Sequence, residues 1–443
     1  MRFNLKKVTA VCAFILIIWF LVSHLFMSEI TNPVVVSKPL MRDIEDRLNR
    51  LQDNVNSELQ ESKDLLVEVQ KHLKVKPQEE TNVLEFQDYN ENEKSNKKPV
   101  LPVLVIACDR VTVKRCLDNL VQYRPDKETF PIIVSQDCGH NATYQVIKNF
   151  IKSHGDNSIR VVRQPDLSEI QLPKPKVKFR GYYKIARHFK FALGHVFDNL
   201  DYDAVIIIED DLDISPDLFE YFLGTYPLLK MDPSIWCISA WNDNGKRGLI
   251  DEGHPELLHR TDFFPGLGWM LARDTWAELR DKWPDAFFDD WLRNPANTRG
   301  RACVRPEISR TYSFGKIGVS KGLFFENHLK HIQLNSQFVK FTELDLSYLN
   351  KAVYDPTFTT TVYSLPLSTP AEAATAALQS AVRVSYTDTA TYRRAAKMLG
   401  LMDDFRSGVP RTAYRGIVTC YIAGHRVFLA PETPWEKYDP SWG

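Results

Sequence analysis

The rhythm of apolar and polar positions changes several times along the chain, and each change predicts an element. Ala204-Val205-Ile206-Ile207-Ile208 is a short run rich in β-branched residues, which predicts a strand buried on both faces. Upstream, 103–107, 130–135 and 159–163 carry the same signature, while 113–123, 144–154 and 183–200 follow helical periodicity. Strands that alternate with helices predict an α/β fold: a mostly parallel sheet with helices on both faces. Residues from about 210 to 315 are aromatic-rich and give no clear period. A Gly- and Ser-bearing loop follows at 315–322, and a Thr/Ser/Pro/Ala-rich connector at 357–375. The C-terminal stretch predicts a helix near 391–401. It also predicts a hairpin of 416–422 and 426–429 turning at Ala423-Gly424-His425, together a small α+β domain. No internal repeat is visible.

The N-terminal pattern differs in kind. Residues 8–27 are almost unbroken apolar sequence, with only Thr9, Ser23 and His24 polar. A helix of that length spans about 30 Å, the thickness of a bilayer core. Arg2, Lys6 and Lys7 precede it, which predicts a cytosolic N-terminus and a luminal remainder; a cleaved signal peptide is the alternative. Within 28–99, Ile44, Leu48, Leu51 and Val55 follow a 4-3-4 spacing that Leu65 and Val69 resume after Glu58 and Ser62 interrupt it. This is a helical stem, either solvated and single or the seam of a homo-oligomer. Residues 79–98, rich in Glu, Asn and Lys, form a linker. The expected division is a tail at 1–7, a membrane signal-anchor at 8–27, stem and linker at 28–99, a catalytic domain at 100–315, a closing loop and connector at 316–355, and a final domain at 356–443.

Composition narrows the function. The formal net charge of +0 argues against nucleic acid as a partner. The seven cysteines include no C-x-x-C pair, which argues against zinc and thioredoxin-type chemistry. In an oxidising lumen some of Cys108, Cys116, Cys138, Cys237, Cys303 and Cys420 should pair. Asn141-Ala142-Thr143 is an N-glycosylation acceptor sequence.

The candidate chemistry sits at strand ends. Glu209-Asp210-Asp211 directly follows the 204–208 strand, on the edge where open α/β sheets bind ligands. Three packed carboxylates call for a compensating cation, and a hard divalent ion shared with substrate phosphates would serve; a solvated acidic turn is the alternative. Asp137, beyond the second strand, would accept from the N3 proton of a uracil ring, and Arg110, beyond the first, would reach the base or the phosphates. His188 lies mid-helix among apolar neighbours and reads equally as a packed histidine. Asp289-Asp290 reads as a helix-start pair or as a proton acceptor. Trp241, Trp269, Trp283 and Trp291 suit core packing or sugar stacking. His328 and His331 lack a third ligand and read as helix surface.

Several long segments carry a resemblance. They are Val105-Ile106-Ala107-Cys108-Asp109-Arg110, Ile132-Ile133-Val134-Ser135-Gln136-Asp137-Cys138-Gly139, Gly181-Tyr182-Tyr183-Lys184-Ile185-Ala186-Arg187-His188, Glu209-Asp210-Asp211, Ser239-Ala240-Trp241-Asn242-Asp243-Asn244-Gly245, Phe263-Phe264-Pro265-Gly266-Leu267-Gly268-Trp269 and 301–311. Together they closely resemble the N-acetylglucosaminyltransferase I family, densely over 100–355 and more loosely beyond.

The resemblance implies a GT-A, Rossmann-like nucleotide-sugar fold, Mn²⁺ dependence and a Golgi type II membrane enzyme. It implies UDP-N-acetylglucosamine as donor and the α1,3-arm mannose of a trimmed high-mannose N-glycan as acceptor, joined in β1,2 linkage. O-linked mannose is the alternative acceptor, and a membrane-tethered carbohydrate-binding protein without catalysis the alternative class. Asp211 would be the metal ligand, with Glu209 and Asp210 near the donor sugar. Arg110 and Asp137 would recognise uridine, His188 the ribose or its surroundings, and Ser320 would sit in a loop closing over the diphosphate. Asp289 would be the general base; relatives place Trp before it where this chain has Phe288. Cys108 would pair with Cys138, and Cys237 with Cys303.

Overall fold

The computed structural model describes residues 98–316, 318, 322–375, 378 and 380–442. The expected anchor, the stem and Ser320 lie outside them. Among the described residues no helix is long and apolar enough to cross a membrane.

The first half alternates as the pattern predicts. Strands β1 (Val103–Ala107), β2 (Ile132–Gln136), β3 (Ile159–Arg163) and β4 (Ala204–Glu209) are separated by helices Val113–Tyr123, Asn141–His154 and Arg180–Gly194, the last continued by a π-turn at His195–Asn199. All four strands are parallel, with β1 between β2 and β4. Both faces are covered, which explains the continuous apolar runs. Val103, Val105, Ile206 and Ile208 pack with Leu117, Leu120, Ile147 and Phe150 on one face. Leu104, Ile106, Val205 and Ile207 pack with Phe189, Leu193 and Trp276 on the other. Each such side chain stabilises the fold by about 1.5–3 kcal/mol. The Lys-rich stretch between β3 and the third helix forms the 3₁₀ helix Lys174–Phe179.

Past β4 the mostly parallel sheet takes in antiparallel pairs as well. Its order is β3-β2-β1-β4-β8-β6-β9-β7, with β6 at Ile235–Ser239, β7 at Leu258–Thr261, β8 at Trp269–Ala272 and β9 at Ala302–Pro306. Strand β8 runs antiparallel to both β4 and β6, and β7 antiparallel to β9. No helix separates β6, β7 and β8, so the crossovers that enforce parallel pairing are missing there. A disulfide between Cys237 and Cys303 ties the neighbouring β6 and β9. Trp241, Trp269 and Trp283 are buried core residues. A separate ribbon pairs β5 (Leu212–Ile214) with β10 (Thr311–Ser313).

The first part of the expected Thr-rich connector, 357–364, belongs to the helix Lys351–Ser364, which carries Pro356 in its interior. Packing overrides the composition: Tyr354 and Phe358 lie against Tyr414, and Phe358 against Phe428. Beyond it lie β11 (Val382–Tyr386), helix Thr389–Met398, a short ribbon of β12 (Phe405–Arg406) and β13 (Val409–Pro410), and strands β14 (Val418–Ile422) and β15 (His425–Pro431). The hairpin turn is Ala423-Gly424, with φ of 51° and 93°, the mirror-image geometry that matches strand twist. Arg411 pairs with Asp243 at 2.8 Å, and Arg426 with Glu307 at 2.8 Å, so buried ion pairs dock this small sheet on the large one.

Candidate active site

The carboxyl ends of β1, β2 and β4 form one rim. Glu209 ends β4, and the Asp210 amide extends the ladder by donating to the Ile106 carbonyl at 3.0 Å. The acidic residues are therefore held by the sheet rather than by a free loop. The Asp210 carboxylate accepts from the Cys108 amide at 3.2 Å and from Arg110 Nη1 at 3.0 Å. Arg110 also pairs with Asp211. Burial, then repulsion from Asp211 and Asp210, pushes Glu209 up to about 8. Burial likewise pushes Asp210 up to about 7, against the pull of Arg110. The raised values reflect carboxyl groups crowded together in a buried rim around one guanidinium.

The β5–β10 ribbon brings a second segment over the acids. The Phe314 amide donates to the Asp211 carbonyl at 2.9 Å, and Gly315 follows. A Cβ on Gly315 would lie 1.8 Å from Asp211 Oδ2, so only glycine allows this approach. The donor atoms here are carboxylate oxygens, which suit a hard divalent cation. Among the described residues no three His, Cys, Asp or Glu side chains are placed to enclose an ion alone. A cation at Asp211 would take the rest of its shell from phosphate oxygens and water, as small divalent ions do at phosphoryl sites.

The neighbouring strand end carries the nucleotide candidates. Asp137 is buried, and its amide donates to the Ala107 carbonyl at 2.9 Å, which fixes the β2 end beside β1. The Cys108–Cys138 disulfide joins the two strand ends. Cys138 and Gly139 both take positive φ, 66° and 63°, and turn the chain into helix Asn141–His154. His188 is buried, with Nε2 at 2.8 Å from Ser135 Oγ, and burial lowers it to about 4 despite the Asp137 charge. It is a neutral imidazole packed under Asp137.

Asp289 lies on the short helix Phe288–Leu292, its side chain 44% exposed, with Oδ2 held by Arg293 Nη1 at 3.0 Å. Asp289 lies near enough to Glu209 for its charge to add to the repulsion there. Phe288 stacks on Phe189 and Trp283, with ring centroids 4.2 and 5.6 Å away.

The structure thus gathers Arg110, Asp137, Glu209, Asp210 and Asp211 at one rim, sets His188 against Ser135 beside Asp137 and places Asp289 within electrostatic reach of Glu209. Ser320 lies outside the described residues, between Gly318, whose Cβ would meet Arg110 Nη2 at 2.9 Å, and Gly322. Sequence reasoning missed Arg293, which holds Asp289 and Asp290 from one helical turn away; its i+4 and i+3 spacing was the available signal. It also missed Arg406, 3.4 Å from Asp290 but 116 residues distant in the chain, for which no local signal exists. Cys116 and Cys420 are buried and unpaired.

Residues 5–442 match the GNT-I family, and the chain belongs to that family. A relative from Arabidopsis thaliana named alpha-1,3-mannosyl-glycoprotein 2-beta-N-acetylglucosaminyltransferase is 39% identical over 339 residues, 75% of this chain and 74% of its own. The family expected from the motifs is the family found. Among solved structures, the chain is similar to the mannosyltransferase PcManGT from Pyrobaculum calidifontis in complex with GDP-Man and Mn²⁺, at TM-score 0.29 and 13% identity over 41% of this chain and 47% of that one. It is also similar to GalNAc-T7 with UDP, GalNAc and Mn²⁺, at TM-score 0.35 and 11% identity over 56% of this chain and 47% of that one. In both cases the chain spans about half the length of the solved chain.

Proposed function

We propose that this protein transfers N-acetylglucosamine from UDP-N-acetylglucosamine to the 2-hydroxyl of the α1,3-arm mannose of a trimmed high-mannose N-glycan, with inversion to a β1,2 bond. The name of the Arabidopsis thaliana relative supports the donor sugar, the linkage and the acceptor arm. The observation that carries the mechanism is the gathering of Glu209, Asp210 and Asp211 around Arg110 at the carboxyl end of β4, with Asp289 near enough for its charge to repel Glu209.

The chain's own groups divide the work. Arg110 lies where it would meet phosphate oxygens as readily as it meets Asp210 and Asp211. Asp137 would take the uracil N3 proton as a hydrogen bond. Asp289, half exposed and oriented by Arg293, would accept the proton of the attacking mannose hydroxyl. One displacement then converts an α-linked donor into a β product. A Mn²⁺ ion held at Asp211 would supply charge stabilisation for the departing diphosphate. The parallel half of the sheet, with its acidic rim, supports a GT-A assignment. The apolar 8–27 segment supports a single-pass Golgi type II anchor.

An assay offering a trimmed N-glycan and an O-mannosylated peptide with UDP-N-acetylglucosamine tests the reading. Transfer to the N-glycan mannose is expected. Preference for the O-mannosyl peptide would change the acceptor, and no transfer to either would favour a carbohydrate-binding role.

A further inference from the structure

We propose that Phe287 is a positioning residue for Asp289, its ring clamped by Tyr182 and Phe179 so that the carboxylate is presented to the acceptor hydroxyl. The inference rests on the reading of Asp289 as the base and adds how that base is held.

Phe287 has φ 53° and ψ 48°, the left-handed region, which a residue with a bulky side chain rarely occupies. It is the turn residue that starts helix Phe288–Leu292, and its carbonyl accepts from the Trp291 amide at 2.9 Å. A turn alone would be better served by glycine, so the ring needs a separate reason. Core burial is not that reason, because the side chain is only partly buried. The ring stacks on Tyr182 with centroids 4.5 Å apart at 25°, and meets Phe179 edge-on at 5.4 Å. Both partners come from another part of the chain, the 3₁₀ helix Lys174–Phe179 and the start of helix Arg180–Gly194.

The next residue anchors the other flank. Phe288 stacks on Phe189 and Trp283. From the helix's far end, Arg293 binds Asp289 and Asp290 while its Nε donates to the Phe264 carbonyl at 3.1 Å. The first turn of a five-residue helix is thereby fixed from three directions, although so short a helix has little stability of its own. Removing the Phe287 ring frees one of these three restraints, the one next but one to the carboxylate.

The test compares Phe287→Gly, which keeps the left-handed turn and removes the ring, with Phe287→Tyr, which keeps both ring and packing. Phe287→Gly should lower kcat about tenfold or more with the donor KM unchanged, in line with the sensitivity of rate to small misplacements. Phe287→Tyr should restore kcat to near the parent value. Tyr182→Ala, which removes only the partner ring, should lower kcat in the same way and decides the question if Phe287→Gly does not fold. An unchanged kcat in Tyr182→Ala and Phe287→Gly, or a parallel loss of donor affinity, overturns the proposal. Asp289→Asn is run alongside: if it retains turnover, the fault lies with the assignment of the base and not with its positioning.

Discussion

Gly315→Ala should disable the donor site without unfolding the protein. Gly315 is outside the left-handed region, so the substitution adds a methyl group and no backbone strain. That methyl would sit 1.8 Å from Asp211 Oδ2, 2.6 Å from its Cγ and 3.0 Å from its Cβ. Reaching the 3.4 Å of ordinary contact requires a shift of roughly 1.6 Å. The carboxylate must swing away from Arg110, or the 314–315 segment must lift from the rim. Misplacing a reacting or ligating group by about 1 Å can lower rate on the order of a hundredfold, about 2.7 kcal/mol. Calorimetric titration of UDP-N-acetylglucosamine in the presence of Mn²⁺ reads the effect on binding, and thermal unfolding reads the effect on the fold. Donor affinity should fall at least about thirtyfold while the unfolding midpoint stays within a few degrees of the parent. A variant that binds donor as tightly as the parent would refute the argument that Asp211 under Gly315 holds the donor.

Asp289→Asn should bind donor normally and lose product formation by on the order of a hundredfold or more, the range expected for removing a general base; a rate within a few fold of the parent would assign the base elsewhere. Replacing both Cys237 and Cys303 by Ala opens a tie between residues 66 apart in sequence, which should lower unfolding free energy by about 4 kcal/mol in a denaturant titration; a loss below about 1 kcal/mol would contradict that. His259, buried and held to about 4 by desolvation although it meets Glu307 at 2.7 Å, is neutral in the folded state and protonates in the unfolded chain near 6.5. Its folded value is lowered, so stability falls as pH drops from about 6.5 toward 4. Denaturant titrations should show lower stability at pH 4.5 than at pH 7.5, and the difference should shrink in His259→Gln; an equal difference in parent and variant would remove His259 as the cause.

The first four strands and the rim were legible because both sheet faces are buried there. Val103–Ala107 and Ala204–Glu209 then read as unbroken apolar runs ending in polar residues. The second half of the sheet, within about 210–315, was not legible, whereas the C-terminal helix and hairpin were. Strands β7 and β8 are four residues each, too short for a period to emerge, and Trp236, Phe264 and Trp269 pack together regardless of strand alternation. The helix Lys351–Ser364 was hidden by Thr residues and Pro356, which disfavour helices locally; contacts with Tyr414 and Phe428 decide its conformation. In the site, Asp137 and Glu209-Asp210-Asp211 were visible as strand-end residues, and Asp289 as a helix-start residue. The groups that hold them came from elsewhere: Gly315 through the β5–β10 ribbon, and Phe179 and Tyr182 through a ring stack on Phe287. Spacing along the chain carries no trace of such pairings.

The central claim is a single displacement at the anomeric carbon, driven from the Glu209–Asp211 rim and completed at Asp289. Proton NMR of the disaccharide linkage formed from UDP-N-acetylglucosamine and a trimmed high-mannose glycan tests it most directly. One new β-configured N-acetylglucosamine on the 2-hydroxyl of the α1,3-arm mannose is expected, absent when Asp211→Ala replaces the parent. An α-configured product, or the same β product from Asp211→Ala at parental rate, would contradict it.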